Sequence, residues 1–123
     1  MDDRRVLNRW QINQRAQLSF ENSVKPIACT VEDISPSGMR ISLHRDLFDE
    51  VFSNFRLTFN PDLELDLGAQ VVWRQEQFEN NIYGLAFNRI SQEEKDQLKQ
   101  YISRDFHDLI VKHWWDGDES VRA

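Results

Sequence analysis

The segment Ile27-Ala-Cys-Thr-Val-Glu-Asp-Ile-Ser-Pro-Ser-Gly-Met-Arg-Ile-Ser-Leu43 alternates apolar with other side chains on both sides of a turn sequence. An apolar residue at every second position is typical of a β-strand with one buried face. Between the two alternating halves lies Ser35-Pro-Ser-Gly38, where proline fixes φ, serine bonds nearby backbone and glycine tolerates a positive φ. The segment therefore predicts two strands joined by a tight turn.

The same alternation recurs along most of the chain. It predicts further strands at 15–20, 55–59, 63–73 and 83–87, with a bulge or bend at Gly68. We expect a short helical turn within 46–54 and a polar loop over 75–81. Six short antiparallel strands at near-regular spacing favour a closed barrel, because closure leaves no exposed strand edge.

The period changes to that of a helix near the C-terminus. Ser91 followed three residues later by Glu94 is a capping box, and apolar residues at spacings of three and four follow it. These features predict an amphipathic helix over 92–113. The predicted fold is thus mainly β, a six-stranded antiparallel β-barrel with a C-terminal α-helix.

Length and composition favour one domain with two short extensions. The 123 residues divide into a predicted flexible arm at 1–13, a barrel with its helix at 14–115, and an acidic tail at 116–123. The single cysteine, Cys29, cannot form an internal disulfide, and no apolar run approaches the roughly 20 residues of a membrane span. We therefore expect a cytoplasmic protein that does not insert into a membrane. The three histidines lack the spacing of a metal site, so we expect no bound metal.

Positive charge is concentrated at one end of an acidic chain. The formal net charge is −6, yet residues 1–45 hold seven Lys/Arg against five Asp/Glu, for a net of +2. Arg4, Arg5 and Arg9 lie within the first nine residues. This distribution favours a small anionic partner bound locally, and it disfavours nucleic acid, which needs a broad basic surface.

Asp33-Ile-Ser-Pro-Ser-Gly38 complements these arginines chemically. Arginine forks match the O6 and N7 acceptors of guanine or a phosphate, and a carboxylate accepts from the N1–H and N2–H donors of guanine. A serine hydroxyl serves phosphate or base, and glycine lets a ligand approach the backbone closely. The combination fits a guanine nucleotide, whereas the hexapeptide alone also fits a plain turn.

These residues resemble the motifs of PilZ domains. Arg5-Val-Leu-Asn-Arg9 matches the RxxxR motif of that family, and the segment from Asp33 to Gly38 matches its [D/N]xSxxG motif. The later pairing of Gly68-Ala-Gln-Val-Val-Trp73 with Tyr83-Gly-Leu-Ala-Phe87 is also common in the family. The resemblance extends over about residues 3–110, nearly the whole chain.

The resemblance implies a receptor for the bacterial second messenger cyclic di-GMP, without enzymatic activity and without a further cofactor. Arg5 and Arg9 would clamp guanine and phosphate, Asp33 and Ser35 would bind from the barrel surface, and Gly38 would leave room. Arg4, just before the motif, implies an intercalated ligand dimer. The arm would become ordered on the ligand and offer a new surface to a downstream protein.

Several alternatives stay open at this point. Trp73 is either a secondary ligand contact or, by alternation with Leu65 and Val71, a core residue, and Trp10 either stacks on a base or packs the arm. The Trp114-Trp115 pair packs inward or forms an interface. The chain as a whole could be a degenerate PilZ module that binds only protein, or a small nucleic-acid-binding barrel. Motility, polysaccharide production and virulence are all compatible outputs.

Overall fold

The computed structural model describes residues 9–21, 24–59 and 63–105. Arg4 and Arg5, the predicted acidic tail and the Trp114-Trp115 pair lie outside the described residues. The strands are β1 (Trp10–Phe20), β2 (Ile27–Ser35), β3 (Gly38–Leu43), β4 (Phe55–Phe59), β5 (Leu63–Gln77) and β6 (Asn80–Arg89). They are followed by the helix α1 (Gln92–Asp105), and a short 3-10 helix (Asp49–Ser53) precedes β4.

The six strands close into one antiparallel barrel in the order β1-β2-β3-β6-β5-β4. The predicted fold class is therefore confirmed. The inner face carries the alternating apolar residues, and Leu18, Val31, Ile41, Leu57 and Leu65 are all fully buried. Each such side chain contributes about 1.5–3 kcal/mol when it leaves water, so the alternation itself holds the barrel closed.

The first strand begins earlier than the sequence indicates. Residues 10–13, the last four of the predicted arm, belong to β1. The register shifts between Gln11 and Gln14, and Asn13 has a φ of 47°, so a bulge hides the alternation there. Trp10 is buried in the core and pairs with Ile34 of β2, so this indole packs the barrel.

The predicted loop over 75–81 is wrong. Gln75 to Gln77 continue β5 and pair with Ile82 to Asn80 of β6, which leaves only Phe78 and Glu79 as a two-residue turn. Glu79, the second residue of the turn, has a φ of 57°, in the left-handed region that tight turns often use. Residues 75–79 are exposed, so this ribbon needs no apolar alternation and resembles a polar loop in sequence.

The pairing of β5 with β6 shifts register twice. The first shift lies between Gly68 and Ala69, where the sequence predicts a bulge or bend, but its extra residue is Asn88 of β6 and not a residue of β5. The second shift lies between Val71 and Trp73. The second shift inserts Val72 as an extra residue and reverses the faces beyond it. Trp73 is consequently 43% exposed, so of the two alternatives for this residue the core position is wrong.

The helix begins as the capping box predicts. The Ser91 hydroxyl accepts from the Glu94 N–H at 3.0 Å, and the Glu94 carboxylate accepts from the Ser91 N–H at 3.1 Å. The second carboxylate oxygen of Glu94 accepts from the N–H of Asp66 at 2.6 Å, which ties the helix to β5. Beyond Asp105 the predicted helix lies outside the described residues.

Apolar contacts fix both the helix and the 3-10 segment against the barrel. In α1, Leu98 and Ile102 are fully buried and Tyr101 stacks on Phe59 with 5.0 Å between ring centroids. The 3-10 helix confirms the predicted helical turn and buries Phe52. Within the part of the chain that the structure describes, no helix is long and apolar enough to cross a membrane.

Candidate functional site

A row of five residues crosses the outer face of the barrel, one from each of five neighbouring strands. Gln11 of β1 lies opposite Asp33, Asp33 opposite Arg40, Arg40 opposite Gly84, and Gly84 opposite Trp73. We call this set the outer-face row. Because adjacent strands lie about 4.8 Å apart, the row spans roughly 20 Å of surface.

Asp33 reaches this face through a bulge in β2. The register shifts between Val31 and Asp33, so Glu32 is the extra residue. Val31 and Ile34 both stay in the core, while Asp33 between them faces outward. The local irregularity thus places a carboxylate on a surface that simple alternation would not give it.

The two oxygens of the Asp33 carboxylate have different environments. Asp33 is only 3% exposed, and its Oδ2 lies 3.1 Å from Nη2 of Arg40. Its Oδ1 lies 3.6 Å from Nη1 of Arg9, beyond hydrogen-bond distance, and accepts no hydrogen bond from the described residues. A buried polar atom without a partner costs about 1–3 kcal/mol, so a donor from a bound group would stabilise Oδ1.

Burial raises the pKa of the Asp33 carboxyl above its ordinary value of 3.8. The guanidinium groups of Arg9 and Arg40 act in the opposite direction, and the nearby carboxylate of Glu32 adds to the increase. The charged form of Asp33 therefore depends on its two arginine neighbours.

Arg40 is a site residue that does not stand out in the sequence. It follows Gly38 by two positions on β3, so it faces outward, and the strand register sets it opposite Asp33. Its Nε lies 3.1 Å from Oε1 of Glu32 but is buried and makes no hydrogen bond within the described residues. The alternation along β3 predicts that Arg40 faces outward, whereas its ion pair with Asp33 depends on the register between β2 and β3.

Ser35 and Gly38 have structural roles in the turn between β2 and β3. The buried Ser35 hydroxyl accepts from the Ser37 N–H at 3.2 Å and lies 3.4 Å from the Gly38 carbonyl oxygen, to which it donates. A Cβ on Gly38 would overlap the carbonyl oxygen of Leu85 on β6. The close approach of two strands therefore requires glycine here, independently of any ligand.

The other end of the outer-face row is an aromatic surface. The indole of Trp73 lies against the backbone of Gly84, where any Cβ would overlap its Nε1 and Cε2 atoms. The missing side chain at Gly84 allows the indole to lie over the strand toward the centre of the row. One indole face supported by backbone suits stacking of a planar base.

The structure brings four of the predicted site residues to one end of the row. Arg9, Asp33, Ser35 and Gly38 lie at the start of β1 and around the β2–β3 turn, and Trp73 lies at the far end. Arg4 and Arg5 fall outside the described residues. Within residues 9–21, 24–59 and 63–105, no cluster of His, Cys, Asp or Glu could hold a metal ion.

A second charged cluster has a structural role. Nη2 of Arg74 donates to the Leu47 carbonyl at 2.7 Å and to Asp49 at 2.6 Å, and its guanidinium lies 4.9 Å from the ring centroid of Tyr83. The Tyr83 hydroxyl accepts from the N–H of Leu47 at 2.8 Å. These contacts fasten the segment before the 3-10 helix to the barrel.

The protein is thus a small antiparallel barrel with a row of charged and aromatic side chains on its outer face. The chain matches the family model of the PilZ domain over residues 3–104, and it belongs to that family. None of the curated proteins matches the chain.

Solved structures share this fold. The PilZ domain of YcgR from Escherichia coli with c-di-GMP gives a TM-score of 0.61 at 14% identity, over 89% of this chain and 94% of that one. The Bacillus subtilis inhibitor of motility, MotI or DgrA, gives 0.58 at 19% identity, over 81% of this chain and 50% of that one. This chain thus spans about half the length of MotI.

Proposed function

We propose that the protein is a receptor for cyclic di-GMP, which it binds without chemical change on the outer-face row. The observation that carries this proposal is the buried Oδ1 of Asp33, which has no hydrogen-bond donor among the described residues. The PilZ fold supports it, since a structural relative, the PilZ domain of YcgR, is described with c-di-GMP.

The chemistry of the row matches the edges and faces of guanine. Oδ1 of Asp33 accepts from N1–H and N2–H of one base, because a carboxylate is an acceptor-only group. Arg5 and Arg9 supply forks for O6, N7 and phosphate oxygens, with Ser35 and Gly38 beside them. The exposed Trp73 offers its indole face to a base, a contact typically worth about 1–3 kcal/mol.

Arg9 connects the binding site to the segment that precedes it. Its guanidinium lies 3.6 Å from the carboxylate of Asp33, and its side chain is half exposed. When guanine takes the acceptor atom of Asp33, Arg9 turns to the ligand and fixes Arg4 and Arg5 against the barrel. Arg4 adds a contact to a second, intercalated ligand molecule. The newly ordered surface then binds a downstream protein.

Calorimetric titration with cyclic di-GMP tests this proposal. We expect Asp33→Asn to weaken binding tenfold or more, because a charge-assisted hydrogen bond contributes about 1.5–3 kcal/mol. Asp66→Asn is the matched control, since Asp66 is an exposed carboxylate paired with Arg56 on β4, away from the row. No heat of binding from the wild-type protein would reject the receptor function and favour the degenerate, protein-binding alternative.

A further inference from the structure

A groove of about 460 Å³ lies on the same outer face, next to the outer-face row. The register places Arg15 of β1 opposite Thr30 of β2, and Thr30 opposite Ser42 of β3. His44, Phe78 and Asn80 close the far side. We call these six residues the Arg15 groove. Ser42 follows Arg40 by two residues, so the groove and the row are separated by only about 7 Å along β3.

The side chains of this groove carry hydrogen-bond donors that the described residues leave unpaired. Ser42 is 9% exposed and lines the cavity, yet its hydroxyl makes no hydrogen bond within the described part of the chain. The Thr30 hydroxyl and the Arg15 guanidinium likewise have no partner among the described residues. Arg15, Thr30 and Ser42 therefore lie side by side across three adjacent strands, and each can donate to an acceptor bound in the groove.

Phosphoryl oxygen is the acceptor that fits this donor set. An arginine fork with two hydroxyls presents several donors to one compact anion, the arrangement that phosphate oxygens favour. Of the described residues that line the groove, Glu79 alone carries a carboxylate, and it lies at the exposed turn. The overall charge of −6 opposes long polyanions, so a small phosphoester is favoured.

Phe78 adds a surface for a base at the rim of the groove. It occupies the tip of the β5–β6 hairpin, is 90% exposed and lines the cavity. An aromatic ring held in water on a tight turn contributes nothing to the core, but it stacks readily on a nucleobase. The groove thus pairs phosphate donors with an aromatic face.

We propose that the Arg15 groove binds a phosphoryl group of a nucleotide, held by Arg15, Thr30 and Ser42. Two sources could supply this phosphoryl group. One is the cyclic di-GMP bound at the outer-face row, which would extend about 7 Å, or two residues of strand, into the groove. The other is a separate phosphate compound. The first source rests on the proposed function, and the second does not.

NMR titrations of the full chain with two probes test this inference. Cyclic di-GMP is added to the wild type, to Arg15→Ala and to Ser42→Ala, and inorganic pyrophosphate is added separately to the same proteins. We expect amide shifts at residues 30 and 42 in the wild type, and at least a fivefold loss of affinity for the responding probe in both variants. Arg56→Ala is the matched control, because it removes the same charge from an exposed site on β4.

The two probes separate the possible outcomes. Shifts in the groove with cyclic di-GMP, weakened by Arg15→Ala, assign the phosphoryl group to the messenger. Shifts with pyrophosphate alone support the groove as a site for a separate phosphate compound, even where the receptor function fails. Cyclic di-GMP shifts at Asp33 with none at residues 30 and 42, together with no response to pyrophosphate, would overturn the groove proposal and leave the receptor function standing.

Discussion

Arg40 and Asp33 form an ion pair across β2 and β3 that engages one carboxylate oxygen, while the other oxygen accepts no hydrogen bond from the described residues. Nη2 of Arg40 lies 3.1 Å from Oδ2 of Asp33, while Nη1 of Arg9 lies 3.6 Å from Oδ1. Arg40 thereby orients the carboxylate and favours its charged form, as a positioning residue for the proposed guanine site.

We predict that Arg40→Gln raises the pKa of Asp33 further, since Arg40 is one of the two charges that lower it. The proposed acceptor must be ionised to bind guanine. As the pH is lowered, Asp33 of this variant therefore takes up its proton sooner, and ligand affinity begins to fall at a higher pH than in the wild type. The measurement is an NMR titration of the Asp33 carboxyl carbon, alongside affinity at several pH values. Arg40→Lys keeps the positive charge, so the pKa of Asp33 should return part of the way to its wild-type value. Arg56→Gln is the matched control. An unchanged carboxyl titration in Arg40→Gln would refute the positioning role.

The raised pKa of Asp33 also predicts how stability depends on pH. A carboxyl that binds its proton more tightly in the folded state stabilises the fold. This contribution is complete at pH values below the pKa of the unfolded chain, here 3.8, and it is lost as the pH rises through the pKa of the folded protein. The free energy of unfolding of the wild type relative to Asp33→Asn should therefore decrease over that interval. Urea unfolding of both proteins at closely spaced pH values measures this difference in the free energy of unfolding. A difference that increases with pH would contradict the prediction.

Gly38→Ala should destabilise the ligand-free protein. The added methyl group would overlap the carbonyl oxygen of Leu85, and forcing two strands apart costs about 1–3 kcal/mol. Thermal unfolding without ligand detects this directly, with Ser37→Ala in the same turn as a comparison. Unchanged stability combined with weaker ligand binding would show instead that Gly38 serves the ligand alone.

Glu94→Ala should loosen the attachment of α1. The substitution removes the acceptor for the N–H groups of Ser91 and Asp66, at 3.1 and 2.6 Å, and loss of such a cap costs about 0.5–2 kcal/mol. Glu93→Ala is the matched control because Glu93 is an exposed neighbour in the same helical turn. Chemical denaturation compares the two variants, and equal stabilities would contradict the capping role.

The sequence predicts the barrel well because six strands each bury one face, and alternation records that burial directly. It fails where an extra residue enters a strand. Bulges near Asn13, Glu32 and Val72 reverse the faces, so a count along the chain assigns Trp73 to the core. The outer-face row lies beside all three bulges, so the sequence predicts the positions of its residues less well than it predicts the fold.

Contacts between strands were the other unpredictable element. The motif identifies Asp33, but only the register between β2 and β3 reveals Arg40 as its partner. The same holds for Gly84, whose neighbour on β5 is an indole. Alternation gives the face on which a residue lies, whereas its partner across the sheet depends on the register.

We propose that Asp33 accepts hydrogen bonds from the Watson–Crick edge of guanine. The most direct test compares the affinity for cyclic di-GMP with that for its inosine analogue, which lacks the N2 amino donor. Calorimetry of both ligands against the wild type and Asp33→Asn gives two affinity ratios. We predict that the wild type prefers the guanine ligand by about tenfold, in keeping with one lost charge-assisted hydrogen bond, and that the preference falls toward one in the variant. Equal preference for guanine in both proteins would contradict the assignment of Asp33.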